Sequence, residues 1–199
     1  MGTVIIKYNA GNIFSVKCAL NRIGAEATVS DDPAVIAAAD RVVFPGVGEA
    51  AAAMQYLCSH GLDSVIKELS CPVLGICIGM QLMCRSSEEG GARCLGIFDV
   101  DVKRFDNCGN QDFKIPQVGW NAISPSMQNE LLCHSFHGEE YVYFVHSYYV
   151  PVCKYTIMTA DYIHPFSAAI RKDNFYAVQF HPEKSGKVGE NILRNFMEL

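Results

Sequence analysis

The chain has 199 residues, of which 50% are hydrophobic and 19% are charged, a balance that supplies a buried core and excludes an intrinsically disordered chain. The formal net charge of −5 includes no long acidic or basic run, which argues against a surface for nucleic acid or anionic membranes. No apolar stretch approaches the roughly 20 residues needed to cross a bilayer, and the amino-terminal segment lacks the pattern of a secretion signal. We therefore expect one domain over residues 1–199, with a protein or a small molecule as its partner.

The cysteines indicate a reducing compartment. There are nine, an odd number, and no two of them form a Cys-x-x-Cys pair, which argues against a disulfide framework and a zinc ribbon. In the cytoplasm, the simplest setting for such a chain, most thiols behave as small buried hydrophobes. We therefore expect a cytoplasmic protein in which at most one cysteine needs to be reactive.

The first half of the chain alternates between strand-like and helix-like segments. Strands are predicted at residues 4–6, 27–29, 41–44 and 72–76, and helices at 13–23, from 33 onward, at 49–60 and at 80–84. Gly24 and Gly61 follow two of these helices, a position where glycine commonly ends a helix. The alternation favours a doubly wound, mainly parallel sheet.

From about residue 93 onward, the pattern changes to shorter strand-like runs separated by glycine and asparagine turns. These runs cover residues 99–105, 141–150, 155–159, 168–171 and 176–180, and residues 188–199 carry apolar residues at helical spacing. Short strands joined by turns favour antiparallel pairing. The predicted fold class is therefore α/β, with a mainly parallel central sheet flanked by helices and a second half rich in antiparallel strands.

A cysteine flanked by glycines follows the fourth predicted strand. The segment Gly75-Ile76-Cys77-Ile78-Gly79 has the Gly-x-nucleophile-x-Gly pattern of a nucleophile elbow, with cysteine in the serine position. The glycines permit the close approach of strand and helix, and the amino terminus of a helix favours the thiolate. The same pattern also fits a tight turn around an inert buried cysteine, so the motif alone leaves both interpretations open.

The segment His181-Pro182-Glu183 follows the last predicted strand. In an extended segment, residues two apart point to the same side, so His181 and Glu183 are expected to lie close together. At the carboxyl edge of a sheet that also presents Cys77, they supply a base and the carboxylate that orients it. The three side chains together predict a catalytic triad.

The chemistry predicted for this triad is attack of a thiolate on a carbonyl carbon. His181 takes the proton of Cys77 and later donates it to the leaving amine, while Glu183 fixes the imidazole tautomer. Candidate oxyanion donors are the backbone N–H of Ile78 and an N–H of the Pro45-Gly46-Val47-Gly48 turn, within Gly46 and Val47. The chain order differs from that of α/β-hydrolases, and no papain-like segment lies near the start.

The Gly-x-Cys-x-Gly, Pro-Gly-Val-Gly and His-Pro-Glu segments together resemble the class I, triad-type glutamine amidotransferases. Further segments resemble the glutaminase subunits of imidazole glycerol phosphate synthases of histidine biosynthesis: 86–91 (SSEEGG), 116–121 (PQVGWN), 144–150 (FVHSYYV) and 179–186 (QFHPEKSG). This resemblance implies hydrolysis of glutamine to glutamate through a cysteine thioester. It also implies a heterodimer, in which ammonia passes to a (βα)8-barrel synthase (cyclase) subunit that makes imidazole glycerol phosphate and AICAR. We expect no cofactor and no metal.

The resemblance further implies roles for individual residues. Gln81, Glu89 and the backbone of Ser147 and Tyr148 are expected to hold glutamine, with Gly48 beside its reacting end. The residues expected toward the synthase interface are Asn12, Trp120, Asn121, Tyr143 and Lys184, of which Tyr143 resembles a gate to the ammonia route. Without the resemblance, the aromatic residues among them would more often belong to a core than to an interface.

Three features of the sequence fall outside this pattern. Glu49-Ala50 follow the Pro-Gly-Val-Gly turn where a small residue and an aromatic are more usual for the family, which bears on the packing behind that turn and on how readily the turn reaches its active form. The loop at residues 106–112 has no predicted function. His134 and His137 have a spacing compatible with a metal, but two ligands in a loop-like stretch favour a surface position.

Two alternative functions remain open from the sequence. The same chemistry fits a different synthase, such as anthranilate synthase or a sugar-modifying amidotransferase, and a regulatory module could keep the fold without turnover. The complete triad argues against the regulatory module. We also expect low basal activity without the partner, with the Gly46–Val47 peptide as the switch.

Overall fold

The computed structural model describes residues 2–9, 12–109, 112–126, 130–131 and 139–199. The helices within these ranges are α1 (Ile13–Arg22), α2 (Pro33–Ala37), α3 (Ala50–Ser59), α4 (Leu62–Glu68), α5 (Ile78–Leu82) and α6 (Gly186–Met197), with 3₁₀ turns at Glu89–Gly91 and Pro182–Lys184. The strands are β1 (Thr3–Ile6), β2 (Ala27–Ser30), β3 (Arg41–Phe44), β4 (Val73–Ile76), β5 (Ser86–Ser87), β6 (Ala92–Arg93), β7 (Asp101–Arg104), β8 (Gln117–Pro125), β9 (Glu140–His146), β10 (Tyr148–Tyr149), β11 (Thr156–Tyr162), β12 (His164–Lys172) and β13 (Phe175–Val178).

One large sheet combines the two halves of the chain, and its strand order over the described residues is β2-β1-β3-β4-β13-β12-β11-β8-β9. The strands from β2 to β13 pair in parallel, whereas β12, β11, β8 and β9 pair antiparallel. A smaller sheet has the order β10-β7-β5-β6. The predicted α/β fold class, with an antiparallel second half, is therefore confirmed.

The parallel half of the sheet is covered on both faces. Val4 and Ile6 of β1 belong to one apolar cluster, together with residues of α2, α3, α4 and α5, while Ile5 belongs to a second cluster with residues of α1 and α6. Successive side chains of a strand point to opposite faces, so a continuous apolar run such as that of β1 requires helices on both sides. Each fully buried aliphatic side chain contributes about 1.5–3 kcal/mol to folding.

Several predicted elements differ in detail from the structure. The helix after Cys77 begins at Ile78 instead of residue 80, because the elbow turns directly into the helix. Helix α4 and strand β8 were not predicted, and the run predicted at 141–150 is interrupted at Ser147 between β9 and β10. Cys133, His134 and His137 lie outside the described residues. Within those residues, no helix combines the length and the apolar composition required to span a bilayer.

Candidate active site

The strand register brings the two halves of the predicted triad to one edge of the sheet. β4 and β13 are parallel neighbours with Ile76 opposite Val178, and the N–H of Cys77 donates to the carbonyl of Val178 across 2.8 Å. The carboxyl ends of parallel strands meet at the same sheet edge. Cys77 directly after β4 and His181 shortly after β13 are therefore close in space, although 104 positions separate them in the sequence.

The backbone at Cys77 has the sharp turn expected of an elbow. Cys77 has φ 53° and ψ −108°, a region that non-glycine residues rarely adopt and that is associated with functional sites. A Cβ atom at Gly79 would lie 1.9 Å from the carbonyl oxygen of Phe44, and one at Gly75 would lie 3.0 Å from the N of Met80. Because backbone atoms leave no room at Gly79, only glycine permits this packing of helix α5 against β3.

His181 and Glu183 form a buried pair. Nδ1 of His181 donates to Oε1 of Glu183 across 2.7 Å, and both side chains are 0% exposed. The prediction of an extended segment here is wrong, because Pro182–Lys184 form a 3₁₀ turn. The turn brings the two side chains together more tightly than the alternation of a strand would, and proline at its first position is compatible with it.

Ser185 fixes the backbone of this turn. Its hydroxyl donates to the carbonyl of His181 across 2.6 Å and accepts the N–H of Tyr143 across 3.0 Å. The N–H of His181 in turn donates to the carbonyl of Tyr143 across 3.0 Å. Ser185 and Tyr143 of strand β9 thus fix the backbone that carries the imidazole. The sequence motif did not reveal this role for Ser185.

The surroundings of His181 favour its protonated form. Burial lowers the pKa of this imidazole, but the interactions with the Cys77 sulfur and the Glu183 carboxylate outweigh burial and raise the pKa to about 9. Nδ1 is bonded to Glu183, which leaves Nε2 for the sulfur, and Nε2 is buried with no hydrogen-bond partner among the described atoms. The arrangement therefore supports a protonated imidazole whose Nε2 is available for proton transfer.

Asn12 contacts Glu183, the carboxylate of this pair. Its Nδ2 donates to Oε1 of Glu183 and lies 3.5 Å from Nδ1 of His181. Asn12 has φ 74° and stands directly before helix α1, a conformation that asparagine tolerates better than most residues. The sequence placed Asn12 toward a partner interface, and the structure adds a direct contact with the triad.

A cavity of about 240 Å³ opens beside Cys77. It is lined by Val47, Gly48, Cys77, Ile78, Gln81, Glu89, Val145, His146, Ser147 and Tyr148. All five residues predicted to hold the substrate, Gly48, Gln81, Glu89, Ser147 and Tyr148, belong to this wall. A cavity of this size accommodates a small amino-acid side chain and places it against the sulfur.

Polar groups at the far wall of the cavity are held by backbone contacts. Oε2 of Glu89 accepts the N–H of Ala50 across 3.0 Å. Burial raises the pKa of Glu89, and the nearby Glu49 carboxylate raises it further, whereas the hydrogen bond from Ala50 lowers it. Nδ1 of His146 donates to the carbonyl of Tyr148 across 2.7 Å, and burial is the main cause that lowers the pKa of His146 to about 4. His146 is therefore neutral at physiological pH.

The turn predicted to stabilise an oxyanion lies against the nucleophile elbow. Val47 and Gly48 line the cavity together with Ile78, and Gly48 has φ 130°, which requires glycine. Gly46 packs between Ile78 and Tyr8. The unusual Glu49 has a local explanation, because its carboxylate accepts the N–H groups of Ala51 and Ala52 at 3.0 and 2.9 Å and so caps helix α3.

Gln179 and Tyr8 contact the site but were not singled out in the sequence. Nε2 of Gln179 donates to the Cys77 sulfur across 3.6 Å, and the hydroxyl of Tyr8 donates to the carbonyl of Pro45 across 2.7 Å. Gln179 directly precedes Phe180 and the His-Pro-Glu segment, so its position beside the motif was the available signal. Tyr8 carries no motif, and only its position two residues after β1 points to the sheet edge.

Three of the five residues predicted at a partner interface lie together: Trp120, Tyr143 and Lys184. Trp120 is 57% exposed, its ring centroid lies 6.2 Å from that of Tyr143, and Nζ of Lys184 lies 5.8 Å from the Tyr143 ring centroid. Nδ2 of Asn121 donates to the carbonyl of Asp161 across 2.8 Å. An exposed tryptophan beside a second aromatic ring is typical of interaction surfaces.

Known proteins resemble the chain along its whole length. Residues 5–199 match the family described as glutamine amidotransferase class-I. A protein of Bacteroides thetaiotaomicron named imidazole glycerol phosphate synthase subunit HisH is 59% identical over 199 residues, covering 100% of both chains. A protein of the same name from Escherichia coli K12 is 47% identical over 203 residues, again covering 100% of both. A crystal structure of a glutamine amidotransferase covers 100% of this chain and 98% of its own, with a TM-score of 0.75 at 17% identity, which supports the fold alone.

Proposed function

The chain belongs to the class-I glutamine amidotransferase family, and from this premise we propose that it is the glutaminase subunit of an imidazole glycerol phosphate synthase. It hydrolyses glutamine to glutamate and supplies the ammonia for imidazole glycerol phosphate and AICAR in histidine biosynthesis. The observation that carries the proposal is the cavity in which Cys77 lies beside the buried His181 and Glu183 pair.

In the proposed acylation, the Cys77 thiolate attacks the carboxamide carbon of glutamine. The carbon–sulfur bond forms, and negative charge develops on the carboxamide oxygen, where the N–H of Ile78 and an N–H of the Gly46 and Val47 segment stabilise it. The imidazolium of His181 donates its proton to the leaving nitrogen as the carbon–nitrogen bond breaks. Ammonia departs, and a thioester remains on Cys77.

Deacylation uses the same groups in the reverse sense. Neutral His181 takes a proton from water, the resulting hydroxide attacks the thioester carbon, and the sulfur leaves as a thiolate paired with the imidazolium. Glu183 holds the imidazole through Nδ1, so that Nε2 faces the reacting atoms. Glutamate is released, and the pair returns to its starting protonation state.

The substrate contacts that we propose follow from the cavity wall. Glu89 attracts the α-ammonium of glutamine, Gln81 and the Ser147 and Tyr148 backbone hold its α-carboxylate end, and Gly48 lies beside the carboxamide. The hydrogen bonds described for Gln81 use its Nε2, which donates to the carbonyl of Tyr148 across 3.1 Å. This hydrogen bond therefore orients Gln81 and the Ser147–Tyr148 backbone relative to each other before glutamine binds.

The partner that we propose is a (βα)8-barrel cyclase subunit bound in a heterodimer. Trp120 is exposed and lies near Tyr143, over which Lys184 is placed; this group supports docking of the barrel on this face. Ammonia would then leave past Tyr143. We propose the cytoplasm as the location, because the eight cysteines in the described ranges are all free thiols.

A glutaminase assay with and without the barrel subunit tests the proposal. The wild-type complex should release glutamate rapidly in the presence of the barrel's ligand and slowly in the isolated subunit, whereas Cys77→Ala should abolish release in both. Cys58→Ala, which removes an exposed thiol, is the matched control and should retain full activity. Unchanged hydrolysis in Cys77→Ala would refute the mechanism, and equal rates with and without the liganded barrel would refute the coupling.

Co-purification separates the histidine-pathway partner from a paralogous one. The tagged chain, expressed together with an imidazole glycerol phosphate cyclase barrel and with an anthranilate synthase subunit, should form a stable complex with the cyclase only. Trp120→Ala should weaken that complex without altering the thermal unfolding temperature, because the tryptophan is mostly exposed. Preferential capture of the anthranilate synthase subunit would contradict the assignment.

A further inference from the structure

Tyr8 lies against the oxyanion turn, although none of the sequence motifs and none of the proposed chemical steps uses it. It follows β1, whose parallel neighbour β3 leads directly into Pro45. The Tyr8 ring packs on Phe44 with the centroids 5.3 Å apart, and the side chain is only 4% exposed. Its hydroxyl donates to the carbonyl of Pro45 across 2.7 Å. The first residue of the turn is therefore bonded to a buried side chain.

The following residue of the turn is enclosed on two sides. A Cβ atom at Gly46 would lie 1.9 Å from the Tyr8 hydroxyl oxygen and 2.1 Å from Cγ2 of Ile78. Real Cβ atoms do not approach other heavy atoms so closely, so glycine is required here by packing. Tyr8 and the residue after the nucleophile thus enclose Gly46, and the position of the turn relative to Cys77 depends on the Tyr8 ring.

The hydroxyl of Tyr8 is protonated at neutral pH and donates a hydrogen bond. Burial raises the Tyr8 pKa well above its ordinary value, and the negative charge of the nearby Cys77 sulfur raises it further. The single hydroxyl proton is bonded to Pro45, so it is unavailable to a developing oxyanion. Tyr8 therefore acts through the turn and does not contact the reacting atoms.

We propose that Tyr8 is a positioning residue that anchors the Pro45 end of the oxyanion turn. The proline ring already fixes φ of Pro45, and the Tyr8 bond fixes its carbonyl. Rotation of the turn is thereby confined to the Gly46–Val47 peptide and the residues after it. This inference rests on the proposed glutaminase function, and it adds a residue that determines how accurately the N–H donors face the oxygen on which negative charge develops.

Tyr8→Phe removes the anchoring hydroxyl and keeps the ring on Phe44. Tyr162→Phe is the matched control, because the Tyr162 hydroxyl also donates to a backbone carbonyl, that of Lys114, across 2.7 Å. In the complex with the barrel subunit, Tyr8→Phe should lower kcat for glutamine hydrolysis about ten-fold, the equivalent of one hydrogen bond, and leave KM almost unchanged. Tyr162→Phe should leave both constants unchanged. Equal kcat values in the two variants would overturn the role of Tyr8, whereas a wild-type complex without activity would refute the proposed function.

Two chemical probes of Cys77 separate positioning of the turn from damage to the nucleophile. Iodoacetamide alkylates the sulfur by displacing iodide and forms no oxyanion, so its rate should be equal in wild type and Tyr8→Phe. Glutamate γ-semialdehyde adds the sulfur to its carbonyl carbon and places the oxygen in the oxyanion position, so its affinity should fall about ten-fold in Tyr8→Phe. Loss of iodoacetamide reactivity, or unchanged affinity for the aldehyde, would contradict the proposal.

Rescue provides a further measurement that does not depend on the stability of Tyr8→Phe. Replacing Tyr8 by p-aminophenylalanine puts an N–H donor at the same reach from the backbone. This replacement should restore most of kcat and of the aldehyde affinity. A folded p-aminophenylalanine variant with the kcat of Tyr8→Phe would show that the hydrogen bond to Pro45 has no part in catalysis.

Discussion

The side-chain amide of Gln179 connects the sulfur of Cys77 to Gln81. Nε2 of Gln179 donates to the sulfur across 3.6 Å, and its Oε1 accepts Nε2 of Gln81 across 3.0 Å. Gln81 also donates to the carbonyl of Tyr148. Gln179 is 0% exposed, so water does not replace it, and a donor to a charged sulfur is worth more than one to a neutral acceptor.

Gln179→Met tests whether this donor stabilises the thiolate. Methionine has nearly the same shape but no N–H, so the thiolate loses a hydrogen bond of about 1.5–3 kcal/mol. We expect the alkylation rate of Cys77 by iodoacetamide at pH 7, which does not depend on glutamine binding through Gln81, to fall at least ten-fold. Asn195→Leu is the control, because it removes another buried side-chain amide. Asn195 lies in helix α6, and its amide donates to the carbonyl of Leu131 across 2.8 Å. Equal rates in the two variants would exclude a role for Gln179 in thiolate stabilisation.

The raised pKa of His181 predicts that stability falls as the pH rises. The pKa is about 9 in the folded state, above about 6.5 for an unfolded histidine, so folding favours the protonated form. This contribution is fully present below pH 6.5 and is lost as the pH rises through about 9. We expect the free energy of unfolding, measured by urea denaturation between pH 6 and pH 9.5, to decline over this window.

Glu183→Gln isolates the contribution of His181. Burial also raises the pKa values of Cys84 and Cys94, and these thiols weaken the fold in the same pH direction, so the wild-type curve alone is insufficient. Without the carboxylate, one of the causes that raise the His181 pKa is removed. The variant should lose less stability between pH 6.5 and pH 9 than the wild type, and identical slopes would contradict the assigned cause.

The sequence allowed the fold class and most of the parallel half to be predicted, because strands buried on both faces are continuous apolar runs. β1 and β3 illustrate this: each apolar run, at residues 4–6 and 41–44, coincides with the observed strand to within one residue. Strand β8 has a half-exposed surface, with Val118 and Trp120 facing solvent. Its hydrophobic pattern is therefore weak, and its pairing with β9 and β11 identifies it as a strand.

The predicted site was limited by contacts between residues that are distant in sequence. The approach of Cys77 to His181 was predictable, because two motifs at strand ends meet at one edge of a parallel sheet. The contacts of Tyr8 with Pro45 and of Asn12 with Glu183 depend on the strand order and the course of the loops. Neither residue belongs to a motif with a chemical signature, so no local pattern identified these contacts.

Glu49 predicts a coupled effect on stability and substrate binding. Glu49→Ala removes the acceptor for two N–H groups at the start of α3, which should lower the free energy of unfolding by about 1 kcal/mol. Asp32→Ala is the control, because Asp32 caps α2 through the N–H of Ala34 at 2.8 Å.

A Cβ atom at Gly90 would lie 2.3 Å from Oε1 of Glu49, so Glu49 supports the segment that carries Glu89. The KM for glutamine should therefore rise several-fold in Glu49→Ala only, and an equal KM in both variants would show that the cap does not influence the cavity.

Replacing Gly189 by alanine should destabilise the fold, although glycine to alanine in a helix usually stabilises it. Glycine to alanine within a helix normally stabilises by about 1 kcal/mol, and Gly189 lies within α6. A Cβ atom there would lie 1.9 Å from the carbonyl oxygen and 2.7 Å from the carbonyl carbon of Pro182, and overpacking of this kind costs about 1–3 kcal/mol. Gly189→Ala should therefore lower the free energy of unfolding in urea.

Gly189→Ala should also reduce glutaminase activity, because Pro182 stands between His181 and Glu183. Lys187→Ala, at an exposed position of the same helix whose ion pair with Glu190 contributes little, should be nearly neutral in both measurements. A stabilised Gly189→Ala variant with full activity would show that α6 does not hold the His-Pro-Glu turn in place.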